Sequence, residues 1–210
     1  MQDDNFYIAD EGTKDSGSDA KMPPPQNSSV WLLWLKACTI PKTGWKDMQR
    51  SRIAPVHLAS AVFYPLLAVA SAASFAIKIY VPDAEISGIL KHAVATFISF
   101  FTGYFLFFPV LRLLVNKTFY KSLDTDFGRC YVMSLLSTLV GIYIFYQLLP
   151  FLEVLWVFLP AYTLYLAYWG IERFKVPRDR FMGVWVPVCI ILILLPLSIG
   201  KIFELILPAS

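Results

Sequence analysis

Few side chains in this sequence could carry out chemistry. Three cysteines, Cys38, Cys130 and Cys189, stand far apart with no C-x-x-C pair, and an odd count cannot close into a disulfide framework within one chain. Free thiols are expected. The only histidines are His57 and His92, and no His or Cys stands at metal-ligand spacing, so neither a metal nor another cofactor is expected. The sequence has no Gly-rich phosphate loop, H-E-x-x-H or G-x-S-x-G. A protease working inside a membrane needs Ser/His or paired Asp within its helices, whereas here Asp is missing from the apolar segments and both histidines lie at their ends. No catalytic residue is assigned, and the chain reads as a non-enzyme.

The elements that must position these groups follow from composition. Of 210 residues 57% are apolar and 16% charged, against about 25% charged in a soluble domain, and the mean hydropathy is +0.59. Such a chain belongs in lipid, with no room for a large soluble domain. Residues 1–29, with Asp3, Asp4, Asp10, Glu11, Asp15, Asp19 and the run Pro23-Pro24-Pro25, cannot bury enough to order themselves and read as a disordered acidic cytoplasmic tail. Over 30–52 the apolar group Trp31 to Leu35 is too short to span, and Lys36, Lys42, Lys46, Arg50 and Arg52 follow it. This is expected to be an interfacial amphipathic segment broken at Pro41, or else a docked helical entrance to the first span.

Residues 53–207 are read as an all-α membrane domain of five spans, near 53–79, 86–115, 130–151, 154–171 and 182–204. Basic residues then alternate between the two sides. The segment before span one, the loop with Arg112, Lys117, Lys121 and Arg129, and the loop with Arg173, Lys175, Arg178 and Arg180 hold nearly all of them. The opposite side has Lys78, Lys91 and Lys201. Cytoplasmic loops are enriched in Lys and Arg, which predicts a cytoplasmic amino terminus and an external carboxyl terminus. Arg173, Lys175, Arg178, Arg180, Lys117, Lys121 and Arg129 form the candidate interaction surface, near anionic headgroups.

The expected span centres carry no ionisable group, against the usual need of an ion-coupled transporter. Lys201 and Glu204, three residues apart, can pair along one helix. Thr96, Ser99 and Gly103 on span two, and Ser134, Ser137, Thr138 and Gly141 on span three, recur at helical spacing and read as packing seams, with a polar substrate groove as the alternative. Pro65, Pro109, Pro160, Pro187 and Pro196 each remove a backbone donor inside a span, so bent helices are expected.

Ile40-Pro41-x-x-Gly44-Trp45 before the first span, Phe127-Gly128-Arg129 at the start of the third, Leu149-Pro150 at its end, and Phe158-Leu159-Pro160 through Gly170-Ile171 in the fourth resemble the YIP family. These are small five-span proteins named for interaction with Ypt/Rab GTPases. The resemblance covers about residues 41–206 and implies a non-enzymatic membrane organiser, with eukaryotic members at the Golgi and endoplasmic reticulum. No Asp-Leu-Tyr-Gly-Pro type motif precedes span one, so GTPase binding is not carried over, and the compact loops are similar to the bacterial branch. That resemblance implies a bacterial cytoplasmic membrane, or a Golgi or reticulum membrane for a eukaryotic chain.

The expected role is a scaffold or adaptor in membrane organisation or trafficking, and the alternative is a small permease, channel or lipid-moving protein. Its partners are the bilayer, another membrane or cytoplasmic protein, or a second copy, with no nucleic acid.

Overall fold

The computed structural model describes residues 27–83, 85–119, 124–149 and 153–206, and the elements among them are helical. Two short helices come first, α1 (Asn27–Thr39) and α2 (Pro41–Ser51). A composite helix α3 (Pro55–Tyr80) follows, then α4 (Ile86–Phe119), α5 (Thr125–Leu148), α6 (Glu153–Glu172) and α7 (Arg178–Ile206). Apart from the backbone of 27–29, the tail expected over 1–29 lies outside the described residues, as do Lys121, the side chain of Lys117 and residues 150–152.

Among the described residues four helices are long and apolar enough to cross a membrane, over Pro55–Tyr80, Ile86–Val115, Thr125–Leu148 and Arg178–Phe203. Apolar side chains such as Val69, Phe105, Leu113, Ile190, Leu194 and Leu205 face outward from the bundle, a surface that suits lipid and not water. The remaining expected span coincides with α6, a helix of 20 residues, whose side chains at 153–157 and 159 lie outside the described ones.

Two local devices shape the long helices. Asp124 caps α5, its carboxylate accepting from the backbone N–H of Asp126 and Phe127 at 3.2 Å each, which fixes where the helix starts. In α3 the turn Ala59–Phe63 is a π-helix, and Tyr64 N–H reaches back to the Ala59 carbonyl just ahead of Pro65, which has no N–H to give. Pro109, Pro160, Pro187 and Pro196 lie inside continuous helices.

Helix α5 is the centre. Half of its apolar stretch is buried, against 28% of α7, and from Cys130 to Ser137 every residue is buried whichever way it points. A helix enclosed on all sides must have neighbours on all sides. Helices α3, α4 and α6 pack on it directly, and α7 lies outside against α4 and α6. The α1–α2 pair fills the rest.

Candidate functional site

The pair α1–α2 forms an elbow. Ile40, at φ −130° and ψ 73°, leaves the helical region before Pro41, which opens α2 with the φ that its ring already imposes. The Ile40 carbonyl accepts from Gly44 N–H at 2.9 Å. Gly44 lies on the backbone of Ala37, so close that a Cβ there would overlap the Ala37 Cα and N. Pro41, Gly44, Trp45 and Met48 are buried at helical spacing, while Lys42, Lys46 and Arg50 point outward.

The inner face of the elbow is clamped to α5 and α6. Trp45 Nε1 donates to the Leu166 carbonyl at 3.2 Å, and Tyr131 of α5 donates its hydroxyl proton to the next carbonyl, Ala167, at 3.0 Å. The Trp45 and Tyr131 rings lie 5.3 Å apart, and Phe174 meets Tyr131 edge-on at 5.3 Å and Phe127 at 5.1 Å. Gly170 makes room for this knot, because a Cβ there would overlap the edge of the Tyr131 ring and lie 3.3 Å from Trp45. Lys42 sits 5.7 Å over the Trp169 ring. The stretches 40–45, 127–131 and 166–171, far apart in sequence, meet here.

Contacts on α5 measure how deep the elbow reaches. Trp34 Nε1 donates to the Ser134 carbonyl, Ser134 Oγ meets Met48 Sδ, and Cys38 Sγ lies 3.4 Å from Thr138 Oγ1. Thr138 is more than halfway along α5, and Tyr162, whose hydroxyl donates to the Cys38 carbonyl, is midway along α6. The tip of α1 therefore stands level with the middle of α5 and of α6. Its outer side mixes exposed Leu32, Leu35 and Ile40 with exposed Lys36 and Thr39.

Lys36 pairs with Asp47 at 2.6 Å across the elbow. The hydrogen bond from the Lys36 ammonium holds the Asp47 carboxyl below its usual range. Its contribution is present above the ordinary Asp pKa and is lost as pH falls through the lowered value. Asp47→Asn is expected to flatten the pH dependence of the unfolding midpoint in detergent at the acid end. At neutral pH it should cost only about 0.5 kcal/mol, as for other exposed pairs.

The seams divide between two tasks. Ser134 and Thr138 receive the elbow, and Ser137 is buried without a hydrogen-bond partner among the described residues. Thr96 and Ser99 line a cavity of about 210 Å³ between α4, α5, α6 and α7. Neither seam glycine is a close approach: a Cβ at Gly141 would meet nothing within 4 Å, and one at Gly103 would meet Pro196 Cγ at 4.0 Å. In the cavity Tyr143 OH lies 2.8 Å from His92 Nε2 and 3.2 Å from Thr96 Oγ1, while Ser99 Oγ donates to the Ala95 carbonyl at 2.6 Å. Lys201, Gly200 and Leu197 of α7 complete its flank. The side chain of Glu204, expected to pair with Lys201, lies outside the described ones.

The basic candidates lie around the ends of α5, α6 and α7. Arg129 lies over the Phe108 ring at 5.3 Å, Arg173 is half-buried 3.8 Å from Glu172, and Lys175, at φ 56°, turns the chain toward the exposed Arg178 and Arg180. Arg180 lies 3.7 Å from Asp179. Near them a polar cleft of about 370 Å³ holds Gln49, Arg52, Asp124 and Asp126. Among the described residues no group of His, Cys, Asp and Glu could hold a metal ion, and all three cysteines are free thiols.

No family model matches the chain, and no curated protein or solved structure matches it.

Proposed function

We propose that this chain is a non-enzymatic membrane scaffold. Its five spans would run from a cytoplasmic amino terminus to an external carboxyl terminus, with α6 as the fourth. The observation that carries this reading is the elbow: two helices not needed for crossing the bilayer are held to each other at Gly44 and clamped to α5 and α6 through Trp45, Tyr131 and Gly170. A rigid clamp holds Lys42, Lys46 and Arg50 outward, and with Arg173, Lys175, Arg178 and Arg180 they offer a basic face to an acidic partner or anionic lipid. The YIP-like reading draws support from the same place. Its motif stretches at 40–45, 127–129 and 158–171 all contribute to the knot, and a bacterial cytoplasmic membrane, with a Golgi or reticulum membrane for a eukaryotic chain, remains part of the proposal.

In-cell crosslinking of the tagged chain followed by mass spectrometry tests it. One partner recovered in near-stoichiometric amount is expected, and changing Lys42, Lys46, Arg50, Arg173, Lys175, Arg178 and Arg180 to Gln should cut that recovery about tenfold or more. Recovery unaltered by the seven changes counts against the basic face.

The cavity lined by His92, Thr96, Ser99, Tyr143 and Lys201 favours a second reading, a lipid-moving protein or small permease. Purified chain in liposomes that moves neither labelled lipid nor solute sinks it.

A further inference from the structure

We propose that the cavity between α4, α5, α6 and α7 binds one phospholipid molecule, with an acyl chain inside and the phosphate at the mouth beside Lys201 and His92. This deepens the lipid-moving reading and does not depend on the scaffold reading. The cavity is about 210 Å³, the room of roughly seven waters, which is too small for a whole lipid and enough for part of one chain. Its walls are Ala95, Phe100, Leu139, Ile142, Leu192 and Pro196, all apolar.

Three features point to a ligand with one charged end. Among the lining residues His92, Leu197 and Lys201 are exposed, so the cavity opens on the flank of the bundle, where the outer faces of the helices are apolar and lipid is the neighbour. Lys201 lies near the end of α7 and His92 near the start of α4, so both belong at headgroup depth, where a Lys ammonium and an imidazole N–H suit a phosphate oxygen. Farther in, Tyr143, Thr96 and Ser99 form a short polar stripe. Pro196 has no N–H to give the Leu192 carbonyl, and both residues line the wall. Polar groups on one side of an apolar cavity, running inward from a basic mouth, match the layout of an amphiphile.

The test is lipid retention by the purified full chain, read by native mass spectrometry after exposure to phosphatidylglycerol or phosphatidylcholine micelles. One phosphatidylglycerol per chain is expected. Lys201→Gln, at an exposed position, should lower phosphatidylglycerol retention about tenfold, the worth of one charge-assisted hydrogen bond, and should lower phosphatidylcholine retention as well, since both lipids carry the same phosphate. Gly200→Leu grows from a position whose Cβ would lie 3.5 Å from Ser99 Oγ, and should remove both lipids. Equal retention by wild type and Lys201→Gln overturns the proposal. Displacement of phosphatidylglycerol by inorganic phosphate at equal concentration also overturns it, assigning the mouth to a soluble anion. Retention without flux in liposomes would uphold the site and defeat the lipid-moving reading.

Discussion

Gly44→Ala should release the elbow from the bundle, against the usual direction of that substitution. In a helix interior Ala is favoured over Gly by about 1 kcal/mol, and α2 places Gly44 in its second turn with ordinary helical geometry. Propensity alone would make the variant more stable. The opposing term is steric: the new methyl would overlap the Cα and N of Ala37, and backbone atoms cannot rotate aside as a side-chain tip can. Relief requires α1 and α2 to move apart, which also pulls Trp45 and Met48 from their seats. Overpacking of this kind costs about 3 kcal/mol at the upper end of its range, so the clash wins. Limited proteolysis in detergent micelles should cut between α2 and α3 about 30-fold faster in Gly44→Ala than in wild type, the factor for a net of about 2 kcal/mol. The same substitution at Gly141, where a Cβ meets nothing within 4 Å, should leave the rate unchanged or slow it. Equal cutting in Gly44→Ala and wild type would refute the close contact.

The contrast between these glycines shows which parts of the fold could be read from sequence. Long apolar runs announce helices in lipid because each must supply about 20 apolar residues by itself, and the described helices follow those runs. Periodicity also groups Ser134 with Thr138 on one face of α5. It could not say what covers that face, and the cover is α1 and α2, about 100 residues earlier in the chain. Gly44 and Gly170 look like any other glycines until Ala37 and the Tyr131 ring are brought against them. The depth of the elbow was hidden for the same reason. Trp31 to Leu35 is too short to span, and nothing in its own residues says that Tyr162 and Thr138, 100 or more positions later, receive the tip of its helix. The cavity draws on four helices, and its central contact joins His92 to Tyr143, a pairing no local spacing reveals.

Trp45→Ala should detach the elbow while the bundle stays folded, and the cysteines report which has happened. Trp45 is almost fully buried; truncation removes its ring contacts with Tyr131 and Phe127 and the hydrogen bond to Leu166. Large-to-small changes of this type cost about 3 to 5 kcal/mol. The loss falls on the contact between α2 and the pair α5 and α6, so local opening becomes easier well before the packing among α3, α4, α5 and α7 is affected. Cys38 sits at the tip, half-buried against Thr138, and burial pushes its thiol above the ordinary range, which slows its reaction. Cys189 is buried in α7, a helix that packs chiefly on α4 and α6. Labelling with a small maleimide should therefore speed up about 100-fold or more at Cys38, the factor that about 3 kcal/mol allows, and stay near the wild-type rate at Cys189. Trp45→Phe keeps a ring between Tyr131 and Phe127 and gives up the indole N–H, so it should lose about 1 kcal/mol and speed Cys38 labelling only severalfold. Parallel acceleration of both cysteines in Trp45→Ala would mean that the elbow and the bundle unfold as one unit. Graded acceleration at Cys38 alone would mean that the knot is a latch on a bundle stable without it.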